Sequence, residues 1–212
     1  MLALSTSIRV IFQYQVDRLG LDYIDLYLIH CPWGHQALSE EEEANFGGRP
    51  AYKDDCPIPN SFDHREMWKA LEDAVDAGLV KEIGLSNFDN SQVQYILDQC
   101  RIKPFNNQVE IHPWIDQSEL VDFHKQNDIS VTSFMSLGRA GRSAAHGGNL
   151  FENELLEKIA TKYEVTMAQL LLKYQLQRGI IIIPKRNLFR HSFTTVFNRL
   201  IYLLYNRNCV RP

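Results

Sequence analysis

The feature that most constrains the fold of this chain is an alternation of helical and short apolar segments, repeated five times. Residues 5–19 place apolar side chains at helical spacing, and the near-continuous apolar run 25–30 follows them. Strands that alternate with helices at this spacing predict βαβ units and a parallel sheet. The predicted strands cover residues 25–30, 82–87, 107–111, 129–135 and 180–185.

The ends of the helices carry recognisable signals. Asp63 is a candidate N-cap, and Thr166 with Gln169 forms a capping-box pattern. Gly78 and Gly179 are expected to end the two helices that these residues begin. The last strand contains the isoleucine run 180–183, which suits burial on both faces of a parallel sheet.

Composition and charge narrow the possible partners. The chain has 212 residues and a net charge of −4, so no global basic field favours nucleic acid. No run of about 18 apolar residues could span a membrane, so we expect no membrane partner. The four cysteines form no C-x-x-C pair, which indicates reduced thiols and predicts a cytoplasmic protein. We expect no metal site, because His30, Cys31 and His35 fit no standard zinc spacing.

The chain divides at residue 185. Residues 1–185 carry the helix–strand rhythm, whereas residues 186–212 form a divergent basic and apolar tail with no acidic residue. The tail could form a terminal helix that packs on the fold, a basic amphipathic membrane helix, or a segment unrelated to the fold.

A dinucleotide-binding Rossmann domain is the alternative fold for the chain, and it is disfavoured because no G-x-G-x-x-G follows the first strand.

Four segments, in order and with the expected spacing, resemble the aldo-keto reductase family. They are LDYIDLYLIH at 21–30, GLVKEIGLSNF at 78–88, NQVEIHP at 107–113, and QLQRG at 175–179 followed by IPK at 183–185. The resemblance covers roughly residues 5–185. It implies an α/β fold, a partial TIM (β/α)8-type barrel whose five parallel strands correspond to strands 4–8 of the complete barrel. It also implies NADPH-dependent reduction of aldehydes and ketones to alcohols, with a small carbonyl compound as substrate.

The resemblance assigns a catalytic role to one residue. His30 matches the family histidine that orients the substrate carbonyl, and it ends an apolar strand, where barrel enzymes place their chemistry. A histidine that merely closes a strand and is satisfied by the backbone is the alternative. Cys31 stands where the family usually has an aromatic residue, so the pocket wall is altered, and Trp33 could supply aromatic surface instead.

The resemblance also assigns the cofactor site. Ser86, Asn87 and Gln108 match the polar trio that holds the nicotinamide carboxamide; we expect all three at the carboxyl ends of strands, where a hydroxyl and two amides suit an amide ligand. Phe134 takes the place of the aromatic residue that stacks on the nicotinamide ring, although a core aromatic is the alternative.

The resemblance places the cofactor phosphates near the ends of the predicted strands 129–135 and 180–185. Leu137 and Arg139 fall where the family wraps the pyrophosphate. Lys185 matches the lysine that contacts the 2′-phosphate, but Arg186 replaces the usual serine or threonine beside it.

The family's catalytic aspartate, tyrosine and lysine precede the strand that ends in its histidine. Only 29 residues precede His30, and Tyr14, Tyr23 and Tyr27 do not match the catalytic motif. We therefore expect a truncated chain with little activity, since losing a general acid typically costs about 10²–10⁴-fold in rate. The alternatives are a non-catalytic nucleotide-binding or regulatory protein and a non-functional fragment.

In a truncated barrel the first and last predicted strands, 25–30 and 180–185, would be open edges of the sheet, which favours self-association.

Overall fold

A computed structural model describes residues 12–35, 52–53, 56–57, 59–60, 63–138 and 148–184. The described residues up to Asn107, together with Gln126–Ile129, form one compact unit. Gln108–Lys125 and the described residues from Ser130 onward form a second unit. The predicted helix before residue 12, Arg139, Lys185 and the tail 186–212 lie outside the described residues.

Helices and strands alternate along the chain as expected. The first elements are α1 (12–19), β1 (Ile24–Ile29), β2 (Gly34–His35), β3 (Tyr52–Lys53), β4 (Cys56–Pro57), β5 (Pro59–Asn60), α2 (His64–Asp76), β6 (Val80–Ser86) and α3 (Asn90–Leu97). The later elements are β7 (Asn106–Glu110), α4 (Ser118–Gln126), β8 (Ser130–Phe134), a 3₁₀ turn (Leu150–Glu152), α5 (Glu154–Lys162), α6 (Met167–Gln177) and β9 (Ile181–Ile182).

Five of the strands form one parallel sheet in the order β1-β6-β7-β8-β9. Strand β1 pairs with β6 from Ile24 opposite Val80 to Ile29 opposite Leu85. Strand β8 pairs with β9, with Thr132 opposite Ile181. The short strands form two antiparallel pairs, β2 with β5 and β3 with β4. The prediction of an α/β fold with five parallel strands is confirmed.

The first unit is built on the apolar face of α2 and on β6. Trp68 and Leu71 are both 2% exposed, and they lie three residues apart on one face of α2. Ile83 and Leu85 in β6 are fully buried. Glu72 is buried on the same helix, and its carboxylate accepts hydrogen bonds from the backbone N–H groups of residues 101 and 102. The helix therefore fixes the segment that enters β7.

The core of the second unit joins two strands, one helix and the approach to β9. Its buried cluster consists of Val109, Ile111, Leu120, Val121, Val131 and Ile180. Strand β9 departs from the sequence prediction, because it is shorter than residues 180–185 and is not buried on both faces. Ile181 and Ile183 are 46% and 52% exposed, whereas Ile180 is 2% exposed. The physical reason is position: β9 ends the strand order of the described sheet, so it has a neighbouring strand on one side only and is less covered than a central strand.

The helix caps follow the sequence signals. Thr166 and Gln169 form the expected capping box at the start of α6. Asp63 caps α2 and accepts a hydrogen bond from the backbone N–H of Arg65. Gly78 and Gly179 have φ angles of 71° and 76° just after their helices, as a left-handed helix end requires. In the described part of the chain every helix is too short or too polar to cross a bilayer.

Candidate functional site

The carboxyl ends of β1 and β6 lie side by side in the first unit. Ile29 pairs with Leu85, so the residues that leave the two parallel strands, His30 and Ser86, fall at the same edge of the sheet. Ser86 is the last residue of β6 and is 5% exposed, whereas His30 is exposed. This placement agrees with the expected location of chemistry at the carboxyl ends of barrel strands.

Asn87 connects these two strand ends. Its backbone adopts a left-handed conformation with φ of 63°, which turns the chain out of β6. Its side-chain Nδ2 donates hydrogen bonds to the carbonyl oxygen of His30 at 2.8 Å and to the Ser86 hydroxyl at 3.1 Å. The structure therefore brings His30, Ser86 and Asn87 together through one amide group.

The hydrogen bond to His30 involves its backbone and not its imidazole. The carbonyl oxygen is satisfied by Asn87, and the residue as a whole is exposed to solvent. Cys31 donates through Sγ to the carbonyl of Trp33 at 3.5 Å, and Trp33 is 55% exposed. The segment after β1 is thus ordered by its main chain, while the imidazole and indole face water.

Gln108 belongs to the second unit, and the expectation that it ends a strand is wrong. It is the third of five residues in β7, which continues to Glu110. The strand continues because Val109 and Ile111, which are 3% and 0% exposed, keep apolar side chains packed beyond Gln108. Gln108 itself is half-buried.

Phe134 and Leu137 lie at the carboxyl end of β8 in the second unit, where the sequence placed them. Phe134 is the last residue of the strand and is half-buried. A turn follows directly, with Met135 at φ 51° and a hydrogen bond from the N–H of Gly138 to the Met135 carbonyl at 2.7 Å. Leu137 is half-buried within this turn.

A buried polar network holds the start of this turn, and the sequence analysis missed it. The Ser133 hydroxyl donates to the Ile111 carbonyl at 2.8 Å and lies 2.8 Å from the Ser136 hydroxyl. Gln175 in α6 donates through Nε2 to the same Ile111 carbonyl at 2.9 Å, and it is fully buried. The available signal was Gln175 itself, a polar residue four positions after Leu171 on the buried face of α6.

A second residue missed from the sequence is His64. Its Nε2 lies 2.7 Å from the Pro32 carbonyl oxygen, and its ring lies 5.2 Å from that of Phe88. No short motif singles it out, because its partners are 32 and 24 positions away and only the fold brings them together. Lys185 and Arg139 lie outside the described residues, so their assignment to the phosphates stays a prediction.

The sequence and the fold of this chain are similar to those of known proteins. The model of the Aldo/keto reductase family matches residues 4–191, and the chain belongs to this family. Rat aldo-keto reductase family 1 member C15 is 37% identical over 187 residues, covering 84% of this chain and 54% of the relative. Yeast NADPH-dependent aldose reductase GRE3 is 36% identical over 188 residues, covering 84% of this chain and 58% of the relative.

A solved structure gives the same assignment. The aldose reductase of Schistosoma japonicum superposes with a TM-score of 0.73 at 32% identity, over 94% of this chain and 64% of that protein. This likeness supports the assignment of the sheet to part of a TIM-type barrel. The chain spans about half the length of the curated relatives it matches, 54% and 58% for the two named above.

Proposed function

We propose that this chain contributes the nicotinamide-binding part of an NADPH-dependent aldo-keto reductase that reduces aldehydes or ketones to alcohols. The observation that carries the proposal is the hydrogen bond of 2.8 Å from the Asn87 side chain to the His30 carbonyl. It joins the Asn87 carboxamide to the backbone of His30, beside the Ser86 hydroxyl, at the carboxyl ends of two parallel strands. Family membership and the name of the yeast relative, NADPH-dependent aldose reductase, support the choice of cofactor.

The chemistry of these side chains suits the amide end of a nicotinamide. Both hydrogen bonds donated by Asn87 use Nδ2, which leaves its Oδ1 to accept from a ligand NH₂ group. The Ser86 hydroxyl is buried, so a hydrogen bond that it makes to a ligand is shielded from competing water. From the family resemblance alone, we also propose that Gln108 and Phe134 serve as a second amide and a stacking ring for the nicotinamide, and that Leu137 and Lys185 contact the cofactor phosphates.

The proposed role of His30 follows from its exposure at the strand end. Its imidazole can donate a hydrogen bond to a carbonyl oxygen, where negative charge develops during reduction. When bound, NADPH supplies hydride to the carbonyl carbon. Proton donation needs a general acid within hydrogen-bond reach, and we propose that the described residues of this chain do not supply one.

The test measures cofactor binding and turnover separately. NADPH fluorescence is titrated with the protein, and oxidation of NADPH is followed with an aromatic aldehyde present. Ser86→Ala is expected to weaken NADPH binding by about 2- to 13-fold, the equivalent of about 0.5–1.5 kcal/mol for one hydrogen bond. Thr161→Ala, at an exposed position of α5, is the control and should bind as the parent does.

The possible outcomes of this test support different functions for the chain. Binding with turnover supports a reductase. Binding without turnover supports the non-catalytic alternative, a nucleotide-binding or regulatory protein of the same family. Absence of NADPH binding in a folded protein contradicts both.

We further propose that the end strands of the sheet support self-association. Strands β1 and β9 stand at the two ends of the described strand order, and Leu26 and Ile181 are 38% and 46% exposed. Exposed strand edges pair readily with a second copy, and lysine at an edge prevents this. Light scattering after size exclusion should detect a dimer or larger species that Leu26→Lys or Ile181→Lys reduces. A monomer of the parent protein at high concentration would refute the proposal.

A further inference from the structure

The segment that leaves β1 is held at two successive main-chain points by two different elements. The Asn87 side chain, after β6, donates to the His30 carbonyl at 2.8 Å. The His64 ring, at the start of α2, lies 2.7 Å from the Pro32 carbonyl through Nε2. A carbonyl oxygen only accepts hydrogen bonds, so in this contact Nε2 is the protonated donor. The two contacts lie on either side of Cys31 and restrain the peptide groups that follow His30.

His64 is itself well placed to act as a fixed point. It is the first residue of α2, directly after the N-cap Asp63, and therefore belongs to a helix anchored in the core by Trp68. Its ring lies 5.2 Å from that of Phe88, which is 1% exposed and follows Asn87 in the chain. One imidazole thus contacts the exits of both strands, β1 through Pro32 and β6 through Phe88.

We propose that His64 is a positioning residue, which acts with Asn87 to set the direction in which the His30 imidazole points. The proposal rests on the proposed function, since it gives His64 a role at the site to which His30 is assigned there. The pairing of β1 with β6 holds the main chain up to Ile29, and the bound carbonyls of residues 30 and 32 hold the peptide groups that follow. Held from both sides, the backbone torsions of His30 are restrained, and with them the direction of its Cα–Cβ bond. A displacement of about 1 Å in a substrate-orienting group costs up to about a hundredfold in rate.

Two substitutions of His64 separate its hydrogen bond from its ring contact. His64→Phe keeps an aromatic ring against Phe88 and removes the donor to Pro32. His64→Gln keeps a donor of similar reach and removes the ring. Asn87→Asp provides an independent variant, because a carboxylate cannot donate to the His30 carbonyl yet tolerates the left-handed backbone of residue 87.

The first measurement is nuclear magnetic resonance of the whole, ligand-free chain. The amide nitrogens of Cys31 and Trp33 belong to the peptide groups whose carbonyls are bound, so their chemical shifts report the two contacts. His64→Phe should move the Trp33 amide and the His30 ring signals, and His64→Gln should return both toward their parent positions. Asn87→Asp should move the Cys31 amide. Unchanged signals in a folded His64→Phe variant would overturn the proposal.

The second measurement uses 4-nitrobenzaldehyde as the carbonyl probe and NADPH as the cofactor probe. His64→Phe should weaken binding of the aldehyde to the NADP⁺ complex by about 2- to 13-fold, the effect of misdirecting one hydrogen bond, while the affinity of the variant for NADPH changes less than about twofold. Equal weakening of both ligands would show a general structural defect and overturn the positioning role. If the parent protein binds neither probe, the proposed function fails, while the magnetic resonance experiment still decides whether His64 and Asn87 set the His30 direction.

Discussion

Glu72 and Ile102, thirty residues apart, are joined by a hydrogen bond of 2.8 Å from the Ile102 N–H to the Glu72 carboxylate. The same Oε1 accepts from the Arg101 N–H at 2.7 Å. On the same helix Trp68 donates through Nε1 to the Ile102 carbonyl at 2.8 Å. Two side chains of α2 thus satisfy three backbone groups of the segment before β7.

Glu72→Leu should destabilise the protein markedly. The substitution leaves two N–H groups without their acceptor, and each buried unsatisfied group costs about 1–3 kcal/mol. We expect a loss of about 2–5 kcal/mol in the free energy of unfolding, measured by urea denaturation. Asp73→Leu, at the neighbouring exposed position, is the matched control and should change stability by less than about 1 kcal/mol. Equal effects at the two positions would contradict the assignment.

Gly84 in β6 should not tolerate a side chain. A Cβ atom there would lie 2.6 Å from the Asn106 carbonyl oxygen and 2.7 Å from Cδ2 of Leu28. Gly84→Ala is therefore expected to cost about 1–3 kcal/mol in thermal or urea unfolding, as overpacking does. Gly20→Asn is the control, since no heavy atom lies within 4 Å of a Cβ at Gly20 and asparagine tolerates its φ of 65°. A Gly84→Ala variant as stable as Gly20→Asn would contradict the close packing.

Asp63 should remain ionised to unusually low pH. Hydrogen bonds from the Arg65 side chain, aided by the Arg65 N–H, lower the pKa of Asp63 to about 2. Since the folded value lies below the unfolded one, the stabilisation is present above about pH 4 and is lost as the pH falls towards 2. Carbon-detected titration of the Asp63 carboxyl should give this midpoint, and Arg65→Met should move it back towards the ordinary value. A midpoint unaffected by Arg65→Met would disprove this cause.

Titration of His124 should also make the stability of the protein depend on pH, in a higher pH range than the titration of Asp63 does. Burial lowers the pKa of His124 below its ordinary value, while the hydrogen bond with the Leu120 carbonyl at 2.7 Å acts in the opposite direction. The unfolded chain therefore binds a proton more readily, so stability is complete above about pH 6.5 and declines as the pH falls below it.

The test of this dependence compares the parent with His124→Gln between pH 7.5 and 5. The free energy of unfolding of the parent should fall relative to that of the variant, by at most about 1.4 kcal/mol per pH unit for one proton. Parallel curves for the two proteins would exclude His124 as the titrating group.

The sequence predicted the order and type of the main elements because periodicity and helix caps are local. The capping box of Thr166 and Gln169 and the strand that ends at Ser86 could be located within a few residues. The exposure of Ile181 could not be predicted, because it depends on which neighbours cover a strand and not on the strand's own composition.

The candidate site was predicted in a similarly uneven way. His30, Ser86 and Asn87 could be found because the family motifs contain them. The hydrogen bond that joins Asn87 to His30 spans 57 residues, and the contact of His64 with Pro32 spans 32, so neither was accessible before the fold was known. Gln108 was misplaced because a motif identifies a residue but does not fix where its strand ends.

The parallel pairing of β1 with β6 has a consequence for biosynthesis. Asp25 and Lys81, which form an ion pair across these strands, are 56 residues apart. A ribosome that adds about 5–20 residues per second leaves β1 without this partner for about 3–11 seconds. During translation the nascent β1 therefore waits for its β6 partner, and its backbone N–H and C=O groups on that side stay unpaired with β6 until β6 has been made.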